Sequence, residues 1–312
     1  EAQYNLACFY VHGIGIDKDE DEAFIWIEKS ANQGYTRAKF CLALCYEHGI
    51  GVDKDEKKAY EILKSLETEN VNIILTEMNE NLSMITDRLG NRLREYTFTL
   101  TIFFRLFIPV MFPKYDKCIY IDADTIIPGD ISLLYNEDLK GNYLGCVVDK
   151  STNDNEKLAS YFEHVIGVPR DKYINSGVLL MDTKKLRELN FVGKFLNLYT
   201  KYQFDVVAPD QDYINAMCYN HIKYLSDRYD AMPNPNNRQI ENPIIIHYNL
   251  FLKPWQYDEV QYKDYFWKYA KDTPYYDEIK NIKENYSEKD KKQDNKFMNQ
   301  MVESCLLYTS DA

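Results

Sequence analysis

Tyr120-Ile121-Asp122-Ala123-Asp124-Thr125 runs an apolar stretch straight into two aspartates spaced i, i+2. Side chains two apart on an extended chain share a face, so the carboxylates would repel each other unless a cation held them. Hard oxygen donors suit Mg²⁺ or Mn²⁺. The spacing alone is weak, because Asp53-Lys54-Asp55 repeats it on what reads as a solvated loop. Placed at the end of an apolar strand and followed by Ile126-Ile127-Pro128-Gly129-Asp130, Asp122 and Asp124 become candidate metal ligands.

Three more stretches have this character. Asn175-Ser176-Gly177 puts an amide, a hydroxyl and an open backbone just ahead of the apolar run at 178–181. Pro209-Asp210-Gln211-Asp212 opens a helical pattern, with Asp210 expected near the N-cap. Ile244-Ile245-Ile246 runs into His247, a candidate third metal ligand, and then to Lys253, which is suited to neutralising a phosphate. Each has an ordinary reading: a strand-end loop, a capped helix, a lysine on a proline-stiffened turn. Their occurrence together in this order favours a site.

Such residues need elements to hold them. Cys118–Ile121, residues 143–148 and Val178–Met181 are short, apolar and bounded by Gly, Asn, Asp or Pro, as buried strands are. Residues 72–76 read as a further strand. Residues 97–107 read as a buried helix stopped near Pro109, and helical patterns cover 155–165, Phe191–Tyr202, 211–219, 262–269 and 275–285. The alternation predicts an α/β sheet, mainly parallel, with helices on both faces. Ligands in such sheets sit beyond the C-terminal strand ends.

Phe104-Arg105-Leu106, YIDADTIIPGDIS from 120, YINSGVLLMD from 173, DQDYIN from 210 and IIHYNLFLKPW from 245 together resemble glycosyltransferase family 8, the retaining nucleotide-sugar transferases. The resemblance covers about residues 71–286. It implies a GT-A fold, a UDP-sugar donor and a divalent metal, commonly Mn²⁺ and otherwise Mg²⁺. It implies Asp122, Asp124 and His247 as metal residues, with Asp122 also facing the ribose. It places Lys253 on the donor diphosphate and Arg105, Asn175 and Asp210 around the donor sugar, with Gln211 beneath the anomeric carbon. Gln211 and Asp210 are thereby the implied catalytic pair. A neutral amide is a poor nucleophile, which favours front-side displacement over a covalent relay. The expected reaction moves glucose or galactose to a glycan or lipid-linked saccharide. Two departures stand out. The strand and loop with which the family begins are missing, so the sheet is expected to lack its first strand. Leu250 stands where the family pattern often has Gly, which is expected to remove a close backbone approach to phosphate or to mark a different donor geometry.

The N-terminus repeats itself. Ala2, Leu6, Ala7, Tyr10, His12, Gly13, Ile14 and Gly15 recur as Ala38, Leu42, Ala43, Tyr46, His48, Gly49, Ile50 and Gly51, all at an offset of 36 residues. Asp17-Lys18-Asp19-Glu20 recurs as Asp53-Lys54-Asp55-Glu56. This period signals stacked helical hairpins, with small alanines letting helices approach and the acidic stretch opening each second helix. The pattern resembles the Sel1-like repeat and implies a surface for a protein partner. The expected organisation is repeats over 1–66, the transferase-like region over 71–286, and a charged, solvated tail with an artefactual end over 287–312. The alternative is a repeat-based interaction protein whose transferase-like region is inactive.

Lys and Arg total 37 against 49 Asp and Glu, a net charge of −12. That disfavours nucleic acid as a partner, while a bridging cation still admits an anionic nucleotide. No run of 18 uncharged apolar residues occurs. Seven cysteines without a CxxC pair read as reduced thiols, and the expected location is the cytoplasm, peripheral at the inner face of the membrane. The chain opens at Glu1 rather than Met, and residues 304–312 resemble translated sequencing-adapter read-through, so a fragment or chimera is expected.

Overall fold

Val178–Met181 is apolar and buried at all four positions in the computed structural model, and it forms the central strand β4. Successive side chains on a strand point to opposite faces. Leu179 and Met181 enter one core with Phe103, Leu106, Phe107, Phe195 and Tyr213. Val178 and Leu180 enter another with Leu134, Val147, Ile244 and Ile245. Both faces are therefore covered, which is why the strand reads as an unbroken apolar run. The structure describes residues 2–12, 16–67, 85, 100–150, 155–202, 206–273 and 276–309. The strand expected at 72–76, and with it the question of a first strand, lies outside these residues.

The other strands are β1 (Cys118–Ile121), β2 (Thr125–Ile126), β3 (Leu144–Cys146), β5 (Ile222–Tyr224) and β6 (Ile246–His247). The main sheet has the order β1-β4-β3-β5, and β2 pairs with β6 in a separate ribbon. The expected mainly parallel sheet is corrected among the described residues: β1–β4 and β3–β4 run antiparallel, and β3–β5 runs parallel. The antiparallel β1–β4 pair has a direct consequence. It sets the start of β4 beside the end of β1, so Asn175-Ser176-Gly177 arrives next to Asp122, and Asp122 N–H donates to Gly177 O at 2.8 Å.

The chain divides into two compact units, Glu1–Glu77 and Met78–Ala312. In the first, α1 (Ala2–His12), α2 (Glu20–Asn32), α3 (Thr36–His48) and α4 (Glu56–Lys64) form two hairpins. Ala7, Ala38 and Ala43 are fully buried, where a larger side chain would force the helices apart. Asp19 caps α2 and Asp55 caps α4 through their carboxylates. Asp19 N–H and Asp55 N–H donate to Tyr10 O and Tyr46 O, one repeat apart. At Gly51 (φ +62°) an added Cβ would lie 2.1 Å from Glu20 O, so the loop needs glycine twice over. His48 is exposed, and Gly13 and Gly15 lie outside the described residues.

Two boundaries differ from expectation. The helix expected to stop near Pro109 is a 3₁₀ turn, Leu100–Phe103, that passes into α5 (Phe104–Met111), with Pro109 inside it. The expected solvated tail is a helix, Glu288–Thr309. Positions 291, 294, 297 and 300 of that helix are buried or half-buried, a stripe that dense charge conceals in the sequence. Asp294 accepts from Tyr257 Oη at 2.9 Å and from Tyr286 Oη, and Val302 packs against Leu158 and Phe162.

Candidate active site

Asp122 follows the last residue of β1, and Asp124 immediately precedes β2. Thr125 pairs with His247 across the β2–β6 ribbon, and Tyr248 N–H donates to Asp124 O at 2.9 Å. The ribbon therefore sets His247 beside Asp124, with Nε2 3.4 Å from Asp124 Oδ1 and 3.8 Å from Asp122 Oδ2. One donor atom from each of the three lies within 4.8 Å of the others. At Gly177 an added Cβ would sit 2.1 Å from His247 Cε1, so only glycine leaves room for the ring. Two carboxylates and an imidazole converging this closely form a donor set that fits a divalent cation.

Cations frame the acids. Arg105, carried on α5, is buried. Its guanidinium is 2.9 Å from Asp122 Oδ1 and 3.1 Å from Asp210 Oδ2, and it donates to Ser176 O at 2.8 Å. It also lies over the Tyr120 ring at 4.5 Å. Burial works against its charge, but Asp210 and Asp122 outweigh that and raise its pKa. Lys253 reaches Asp124 Oδ2 and Tyr248 O. Burial would raise the Asp124 carboxyl, but the hydrogen bond and charge of His247 and the contacts with Lys253 hold it well below the usual range. His247 moves the other way. Burial opposes its charge, yet Asp230 and Asp124 push it up to about 10.

The start of the helix Pro209–Cys218 completes the wall. Asn215 pins this helix to the strand entry, with Oδ1 accepting from Ile174 N–H at 2.8 Å and Nδ2 donating to Ile174 O at 3.0 Å. Gln211 Oε1 accepts from Ser176 N–H at 2.9 Å, and its Nε2 donates to Asp149 Oδ2 at 3.1 Å. Asn175 Nδ2 donates to the same Asp149 oxygen at 3.1 Å. Ser176 Oγ donates to Asp210 Oδ2 at 2.7 Å. Asp210 is not the cap. Ala208 is the N-cap residue, and Asp212 Oδ2 accepts from Val207 N–H and Ala208 N–H, both at 3.0 Å. Tyr161 Oη and Tyr173 Oη donate to Asp212 at 2.9 and 2.5 Å. Burial lifts its carboxyl to about 6 against those four hydrogen bonds.

All eight residues singled out in the sequence (Arg105, Asp122, Asp124, Asn175, Asp210, Gln211, His247 and Lys253) line one cavity of about 380 Å³. Asp149 and Ser176 line it too, and Asp149 was missed because nothing in Val147-Val148-Asp149-Lys150 marks a site. Leu250 also lines it, at φ 54°. It holds the left-handed backbone that a glycine would supply freely. The cavity offers cations for a polyanion, acids for a metal, and amide and carboxylate groups for hydroxyls.

A family model described as glycosyl transferase family 8 matches residues 31–259. The chain belongs to glycosyl transferase family 8. A Sel1 repeat model matches residues 1–35. The lipopolysaccharide 1,2-glucosyltransferase of Escherichia coli is 26% identical over 65% of this chain and 62% of its own length. General stress protein A of Bacillus subtilis is 25% identical over 62% of this chain and 73% of its own length. Another relative, from Haemophilus influenzae, is matched over 40% of its length, so the chain spans only part of several curated relatives. The structure of galactosyltransferase LgtC with donor and acceptor sugar analogues superposes with TM-score 0.54 and 21% identity, covering 77% of this chain and 93% of that one. The family's GT-A fold is the fold of this chain. Among the described residues no helix is long and apolar enough to cross a membrane, and Cys8, Cys41, Cys45, Cys118, Cys146 and Cys218 are free thiols.

Proposed function

We propose that this chain is a retaining hexosyltransferase. It takes glucose or galactose from a UDP-sugar and delivers it to a glycan or lipid-linked saccharide. The observation that carries the proposal is the convergence of Asp122, Asp124, His247, Lys253, Arg105 and Gln211 on one cavity. A divalent cation, Mn²⁺ or Mg²⁺, would be held by Asp122, Asp124 and His247 and would supply positive charge to the departing diphosphate. Lys253 adds a fixed positive charge on the same side, so charge that develops as the sugar–phosphate bond breaks meets groups already in place. Arg105 holds Asp122 and Asp210 in register, while Asn175 and Asp210 bind sugar hydroxyls.

Gln211 is held at both ends of its amide, by Ser176 and Asp149. A neutral, oriented amide stabilises a sugar cation better than it attacks one, which favours front-side displacement with the departing phosphate as base. The Sel1-like repeats are proposed to hold a protein partner, and the acceptor is proposed to be presented at the inner face of the membrane.

The test is incubation with labelled UDP-glucose and UDP-galactose, with and without Mn²⁺, followed by NMR assignment of the anomer formed. Mn²⁺-dependent transfer with retention is expected. An inverted product, or a glycosyl adduct trapped on Gln211, would overturn the mechanism. No turnover of either donor by the folded chain, as transfer or as hydrolysis, would overturn the function.

A further inference from the structure

Behind His247, on the side away from the cavity acids, stands Asp230. Its side chain is fully buried, and Oδ1 is 3.1 Å from His247 Nδ1. Its other oxygen, Oδ2, has no hydrogen-bond partner among the described residues. The backbone locks this arrangement, because Ala231 N–H donates to Ile245 O and His247 N–H donates to Ala231 O, at 2.9 and 3.1 Å. Gly177 closes the third side of the ring. A cation binds the neutral form of the imidazole, which has one lone pair to offer, and the hydrogen bond made by one nitrogen decides which nitrogen carries it. With Nδ1–H committed to Asp230, Nε2 faces Asp122 and Asp124.

We propose that Asp230 is a positioning residue for the metal site. By accepting a hydrogen bond from Nδ1–H, it fixes the tautomer and the ring plane in which Nε2 of His247 can ligate a cation. It does not touch the cation itself. The proposal rests on the divalent-cation reading above. A buried carboxylate oxygen without a partner is costly to keep, and the side-chain partner that Asp230 has among the described residues is a candidate metal ligand.

The experiment is calorimetric titration of Mn²⁺, in the absence of any sugar, into the wild type, Asp230→Ala, Asp230→Asn and Asp124→Asn at one pH, with circular dichroism and melting curves on each. Loss of an outer-shell partner of a metal-ligating histidine costs about 10–100-fold in affinity. Asp230→Ala is expected to show that loss. Asp230→Asn keeps an acceptor oxygen and is expected to lose less, about two- to tenfold. A purely structural role would lower the melting temperature and leave the Mn²⁺ dissociation constant of the folded protein unchanged, and that result overturns the proposal. Should the alanine variant not fold, the nearly isosteric asparagine variant decides by the same criterion. If the wild type itself binds no Mn²⁺, the cation reading falls and takes this inference with it. Wild-type binding with both Asp230 variants unchanged sinks the inference alone.

Discussion

Leu250 sits at φ 54° in the wall of the cavity. The left-handed region costs an L-residue with a Cβ roughly 1–2 kcal/mol, and glycine pays none of this. At an ordinary position alanine is more stable than glycine by about 0.4–1 kcal/mol, because glycine's unfolded chain has more freedom to lose. Leu250→Gly and Leu250→Ala remove nearly the same packing, so their difference isolates the backbone. Subtracting the midpoints of the two ranges leaves the glycine variant ahead by about 0.8 kcal/mol. For a unit of this size that is a melting difference of about 1–4 °C. Calorimetric melting of the two variants reads it directly. An alanine variant as stable as the glycine variant, or more stable, would refute the claim that this backbone is strained.

Other outcomes follow from the same geometry. Arg105→Ala removes the buried cation that half-buried Asp122 and buried Asp210 share, and removing one partner of a buried pair costs about 3–5 kcal/mol; urea unfolding measures it. Gly177→Ala drives a methyl into the His247 ring, so Mn²⁺ affinity should fall at least tenfold by calorimetry, with about 1–3 kcal/mol lost in urea unfolding. The Asp212 carboxyl, raised from 3.8 to about 6, holds its proton more tightly in the folded state. Its contribution is therefore complete below pH 3.8 and lost as pH rises through about 6, on the order of 3 kcal/mol. Comparing unfolding free energies of the wild type and Asp212→Asn at pH 4 and pH 7 should show the wild type losing that advantage. Gly51→Ala should destabilise the repeat unit, seen as selective loss of its melting transition.

The site was legible in the sequence wherever an apolar strand ran into polar groups. Cys118–Ile121 into Asp122, and Ile246 into His247, are such places, because an apolar strand that stops at polar side chains marks where the chain passes from core to cavity. What escaped was decided by pairing direction and by distance in space. Nothing local says that β1 and β4 run antiparallel, and that pairing is what carries Asn175 and Ser176 to Asp122. Asp149 and Asp230 are single acids in a chain with 49 Asp and Glu, and only the fold separates them from solvated ones. Asp210 does lie near the N-cap, as expected, but it is Asp212 that accepts from the N–H groups at the helix start, while Asp210 pairs with Arg105. The helix Glu288–Thr309 was hidden because its inward stripe includes half-buried Lys291, paired with Glu288, and buried Asp294, which accepts from Tyr257 Oη.

The proposed function needs a metal-dependent nucleotide site in the cavity of Asp122, Asp124, His247 and Lys253. It is tested most directly by calorimetric titration of UDP into the intact chain, with and without Mn²⁺, beside Asp124→Asn. Binding is expected to require Mn²⁺ and to disappear in the variant. A folded chain that ignores UDP in the presence of Mn²⁺, or binds it equally well with Asp124 replaced, would contradict it.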